Sequence, residues 1–120
     1  MSPSGAWRGF WQQEGYGRQP MEEFQLVFAG GEVRGRGIDV IGPFTIRGEC
    51  EADGTIAFVK QYLAKHAVIY RGQSDGEGSI LGTWCIENDI FGVVYKGPFL
   101  MQPARPVIPN DLPISDITKS

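Results

Sequence analysis

The stretch Phe44-Thr45-Ile46-Arg47-Gly48-Glu49-Cys50-Glu51, then Ala52-Asp53-Gly54, then Thr55-Ile56-Ala57-Phe58-Val59-Lys60-Gln61-Tyr62, decides the fold. In the first run Phe44, Ile46, Gly48 and Cys50 alternate with Thr45, Arg47, Glu49 and Glu51. A period of two puts each set on its own face of a strand. Asp53-Gly54 is a type I′ hairpin signal, because such turns need residues that tolerate positive φ. The second run returns with Ile56, Phe58, Lys60 and Tyr62 on one face.

The same grammar extends in both directions. Toward the N-terminus, a strand from Trp7 to Gln13 carries Trp7, Gly9 and Trp11 on one face, and residues 14–20 form a loop. A strand from Glu22 to Phe28 follows, then a tight Gly30-Gly31 hairpin, then a strand from Glu32 to Asp39. Gly35 and Gly37 on an inward face would let an opposing large side chain, such as a tryptophan, sit deep. Toward the C-terminus the strands run Ala67–Gly72, Ser79–Ile86 and Ile90–Leu100. Tyr62, Leu63 and His66 have helical spacing, but Val68-Ile69-Tyr70 resumes strand character at once, which favours a strand end and a turn. The expected fold is all-β, an antiparallel up-and-down barrel of about eight strands. Residues 1–101 form this single domain. Pro103, Pro106, Pro109 and Pro113 then oppose regular pairing, so residues 102–120 read as an extended or disordered Pro-rich tail.

Composition excludes several functions. A net charge of -3 argues against nucleic acid, which needs a clustered basic surface. Arg34-Gly35-Arg36 is flanked by Glu32 and Asp39 and reads as a solvated strand face. Neither a secretory leader nor a membrane-spanning stretch is visible, so the expected location is cytoplasmic, with no membrane partner. Cys50 shares the inward face of Phe44 and Ile46, while Cys85 lies opposite Trp84. Both read as reduced, because such placements suit a disulfide poorly.

In an up-and-down barrel successive loops alternate between ends. One rim carries the tight hairpins and the termini. The other gathers Tyr16 and Arg18, then Asp39, then Lys65 and His66, then Asn88 and Asp89. Long polar loops leave an end open, and barrel pockets lie at such mouths. Lys60, Tyr62 and Trp11 are the inward positions nearest this rim. The candidate ligand-binding set is therefore Trp11, Tyr16, Arg18, Asp39, Lys60, Tyr62, His66 and Asn88.

Each has a plainer reading. His66, the single histidine, can bond locally within its loop and cannot build a histidine metal site. Lys60, if inward, is a buried amine needing a partner such as Asp39 or Glu14; at a bulge it is simply surface. The tryptophans can be core, and Asp39 can cap a turn. The sequence shows no histidine–cysteine pairing of clear spacing, metal cluster or cofactor loop. A carboxylate pair such as Asp39 and Asp89 across the mouth could do acid–base work, but any barrel rim offers such pairs. A catalytic barrel therefore ranks third among the readings, and no cofactor is expected.

Gly5-Ala6-Trp7, at the start of the first strand, resembles the glycine-x-tryptophan signature of the calycin-type barrels, the lipocalins and avidins. The triplet recurs as Gly9-Phe10-Trp11 and Gly82-Thr83-Trp84, and the strand spacing extends the similarity from Trp7 to Leu100. There is no second lipocalin signature and no counterpart of the avidin polar set. The resemblance implies a lipocalin-like or avidin-like barrel with its first tryptophan at the closed end and a small-molecule cavity at the other rim. The leading expectation is a barrel that binds a small hydrophobic or amphipathic molecule there. The alternative is a structural or protein-interaction module with a solid core, a reading that admits a homodimer.

Overall fold

The computed structural model describes residues 3–13, 15, 17–88 and 93–104, with backbone alone for Glu87, Asn88, Val93 and Val94. Eight strands follow in order: β1 (Gly5–Gln13), β2 (Gly17–Ala29), β3 (Glu32–Ile38), β4 (Pro43–Cys50), β5 (Thr55–Tyr62), β6 (Ala67–Ser74), β7 (Ile80–Asn88) and β8 (Val93–Pro103). Each pairs antiparallel with the next, and β8 returns to β1 to close the barrel. The fold is the all-β, eight-stranded antiparallel barrel that the alternating runs imply.

The turns account for the strand order. Gly30 and Gly31 have φ of 60° and 80°, and Ala29 pairs with Glu32 across them, a two-residue turn. The Asp53-Gly54 connection differs from the expected type I′ turn. Among the described non-glycine residues only Ala64 has positive φ, so Asp53 does not, and Gly54 alone bends left-handed at 94°. The loop spans residues 51–54, is closed by Gly54 N–H donating to the Glu51 carbonyl (3.0 Å), and is capped by Asp53 Oδ1 accepting from Thr55 N–H (2.9 Å). The aspartate makes a local hydrogen bond instead of adopting left-handed backbone.

Two strands run further than their prolines suggest. β2 begins at Gly17 and includes Pro20, which pairs with Phe10. β3 reaches only as far as Gln25, so this part of β2 is an edge, where a proline is tolerated. Trp7 pairs with Phe24 but Gly9 pairs with Met21, so β2 carries one extra residue at the exposed Glu22-Glu23. That bulge keeps Phe24, Leu26 and Phe28 inward below it and turns Gln19 and Met21 inward above it. β8 extends to Pro103, which pairs with Trp7, and Ala104 N–H donates to the Ala6 carbonyl at 2.8 Å. The barrel thus ends beyond residue 101, because a strand end can hold a residue without N–H. The rest of the expected tail, residues 105–120, lies outside the described residues.

The end with the glycine hairpin is solid. Trp7, Leu26, Val33, Ile80 and Met101 are each at most 2% exposed. The Trp7 ring packs 5.6 Å from Phe28, and its Nε1–H donates to the Pro3 carbonyl at 2.9 Å. Leucine and phenylalanine, not tryptophan, use the space over β3: a Cβ on Gly35 would lie 2.7 Å from Leu26, and one on Gly37 would lie 2.6 Å from Phe44 and 2.8 Å from Phe24. Trp84 lies instead against its cross-strand partner Gly97. Arg34, Arg36, Arg47 and Glu49 point out into solvent, so an apolar interior sits inside a charged wall. Cys50 packs half-buried against the core, and Cys50 and Cys85 are both free thiols. No helix among the described residues is long and apolar enough to cross a membrane.

Candidate functional site

The interior changes character halfway up. Phe58, Tyr70 and Trp84 are cross-strand neighbours on β5, β6 and β7. Phe58 stacks on Tyr70 at 4.8 Å and 10°, and Phe99 meets Tyr70 edge-on at 5.0 Å. The next inward row toward the rim is Ile46, Lys60 and Val68, and beyond it Phe44 faces Tyr62. Here the barrel is hollow. A cavity of about 350 Å³ runs from Met101 and Phe58 in the interior to Gln13, Val40 and His66 at the mouth. Trp11, Met21 and Phe24 form the wall on β1 and β2, with Trp11 edge-on to Trp84 at 5.6 Å. The mouth belongs to the rim carrying the β1–β2, β3–β4 and β5–β6 loops.

One polar cluster interrupts the apolar lining. Asp39, just past β3, has its backbone held by paired hydrogen bonds with Gly42 (3.1 and 3.0 Å). Its Oδ1 accepts from Ile41 N–H at 2.9 Å, which aims the carboxylate into the mouth. Oδ2 accepts from Lys60 Nζ at 3.0 Å and from the Tyr62 hydroxyl at 2.6 Å. The Lys60 and Asp39 side chains are only 12% and 16% exposed. The ammonium also lies 4.2 Å from the Phe44 ring centroid and 5.0 Å from that of Tyr62, a cation–π seat.

Charge balance follows from this geometry. Burial opposes ionised Asp39, but hydrogen bonds from Tyr62 and Lys60, the Lys60 charge and the Ile41 amide outweigh it and hold the carboxyl below its usual range. Burial pulls Lys60 below the ordinary lysine value, against the opposing pull of Asp39. Burial, then the bond to Asp39, pushes the Tyr62 phenol up and keeps it neutral. Burial pushes Tyr70 up as well, with the Asp39 charge adding to it.

Of the residues singled out in the sequence, Trp11, Asp39, Lys60, Tyr62 and His66 all line this cavity. His66 is exposed at the lip, its ring 5.1 Å from Tyr62. Arg18 is exposed on the outer face, its guanidinium 5.0 Å from the Phe10 ring, because β2 starts early and Gln19 takes the inward position. Tyr16 lies outside the described residues. Asn88 is described by its backbone, paired with Val93 at the end of β7. Tyr70 also lines the cavity and lies outside that set, although its alternation with Val68 marks it as inward. Among the described residues no group of His, Cys, Asp and Glu is placed to hold a metal ion.

The architecture, with Trp7 sealed at the closed end, is compatible with a calycin-like barrel. Comparison of the chain with protein-family models, curated proteins and solved structures gives no match.

Proposed function

We propose that this chain is a lipocalin-like binding protein that takes a small, largely apolar molecule into the open half of its barrel. The observation that carries this reading is the unfilled hollow. Eight-stranded barrels of this size can be filled entirely by side chains. Here one half is filled and the other keeps about 350 Å³, within the roughly 300–1,000 Å³ of small-molecule pockets. The mouth supports it too: Val40 is 95% exposed, with Ile41 and Leu63 also exposed nearby, an apolar lip at the entrance. A solid core offers no account of this space.

The test is titration with N-phenyl-1-naphthylamine, a neutral apolar fluorophore. A saturable 1:1 enhancement with quenching of tryptophan emission is expected, since Trp11 and Trp84 line the hollow. Absence of saturable binding up to the probe's solubility limit would overturn the reading.

A further inference from the structure

Tyr70 lines the cavity and carries an unspent hydrogen-bonding group. It is 5% exposed and lines the hollow, yet among the described residues its hydroxyl has no hydrogen-bond partner. A buried hydroxyl is costly to leave unpaired, so such an exception asks for an explanation. Lys60 lines the same hollow and has three N–H donors, of which one is spent on Asp39. The Tyr62 donor is spent on the same carboxylate oxygen, and Asp39 accepts at both of its oxygens. Within the group Asp39, Lys60, Tyr62 and Tyr70, the donors left over are the remaining N–H groups of the Lys60 ammonium and the Tyr70 O–H.

The charges are already balanced. Lys60 and Asp39 neutralise each other at 3.0 Å. An anionic ligand accepting from Lys60 would lie close to the Asp39 carboxylate, and a cationic one would meet the ammonium. Either would add a net charge to a largely apolar space.

We propose that the ligand is neutral and carries a carbonyl group, whose oxygen accepts from Lys60 and Tyr70 while its apolar body lies against Phe58, Trp84 and Trp11. This rests on the cavity being a ligand site. A carbonyl oxygen has two lone pairs, one for each of these two donors lining the same hollow. Asp39 and Tyr62 act as positioning residues: they fix the ammonium and cancel its charge.

The test uses three probes that share one ring system: 2-acetylnaphthalene, 2-ethylnaphthalene and 2-naphthoate, titrated near pH 7 by tryptophan quenching. 2-Acetylnaphthalene should bind about tenfold tighter than 2-ethylnaphthalene, the worth of a charge-assisted hydrogen bond. 2-Naphthoate should bind more weakly than 2-acetylnaphthalene. Tyr70→Phe keeps the ring and should reduce acetyl-probe affinity about threefold to tenfold, leaving the ethyl probe unchanged. Lys60→Met should erase the remaining preference. Equal affinity for the acetyl and ethyl probes would overturn the carbonyl assignment and leave the cavity reading standing. Tightest binding of 2-naphthoate would overturn it in favour of an anion site. Failure of all three to bind would overturn both.

Discussion

The two halves of this barrel are built from the same strands and do opposite things. At the end with the Gly30-Gly31 turn, Trp7, Leu26, Val33, Ile80 and Met101 interdigitate and exclude solvent almost completely. A few residues further along each strand, Lys60, Asp39, Tyr62 and Tyr70 surround empty space. The wide half spends its inward positions on aromatic walls and one charge pair. Stability is thereby concentrated where the strands are sealed, and the open half is freed for recognition.

The largest effect expected from this contrast is at the sealed end. Trp7→Ala removes a fully buried indole packed on Phe28 and should cost about 3–5 kcal/mol in urea unfolding. Trp11→Ala borders the hollow and should cost less than half as much; equal losses would mean the halves do not differ. Next comes the polar cluster. Asp39→Ala strands the Lys60 ammonium in an apolar wall and should cost about 2–4 kcal/mol. Asp39→Ala with Lys60→Met removes both charges and should regain most of the loss; a strictly additive double variant would show that the two are not coupled.

pH sharpens the same point. Asp39 has a lower value folded than unfolded, so its contribution is complete above the ordinary aspartate value of about 4. It is lost as pH falls through the depressed folded value. Tyr62 and Tyr70 are raised in the fold, so their contribution is complete below about pH 10 and is lost as pH rises further. Lys60, lowered, works against them in that alkaline range. Denaturant midpoints measured against pH should therefore fall on the acid side, and Asp39→Asn should flatten that arm. The smallest effect expected is at the rim. Ala64 holds φ of 57° in the β5–β6 turn, a conformation that glycine adopts freely. Ala64→Gly should raise stability by about 0.5–1 kcal/mol without affecting the sealed end.

Much of this division was legible in the residues. Alternation in Phe44–Tyr62 identified the inward face and placed Lys60 on it, and loop parity brought Asp39 to the same rim. Lys60 was then either surface or a buried amine requiring a partner; the hydrogen bond to Asp39 makes it the second. The expected rim-loop position of Arg18 fails because β2 already begins at Gly17 and the Glu22-Glu23 bulge sets its phase so that Gln19 faces inward and Arg18 outward; no local signal announces a bulge between two glutamates. The turn at Asp53-Gly54 departs from type I′ because Asp53 Oδ1 accepts from the Thr55 amide. Tyr70 was readable as inward but not as unpartnered, since that depends on what surrounds it. The volume of the hollow likewise depends on how side chains from eight strands meet, which pattern alone does not encode.

The three tryptophans are built-in reporters of the central claim, that only one half of the barrel is a binding site. Trp11 and Trp84 line the hollow, and Trp7 is sealed at the far end. The most direct measurement is a proton–nitrogen NMR titration of the three indole N–H signals with 2-acetylnaphthalene. Saturable shifts of Trp11 and Trp84 with Trp7 unmoved are predicted. Shifts of all three together, or of none, would contradict it.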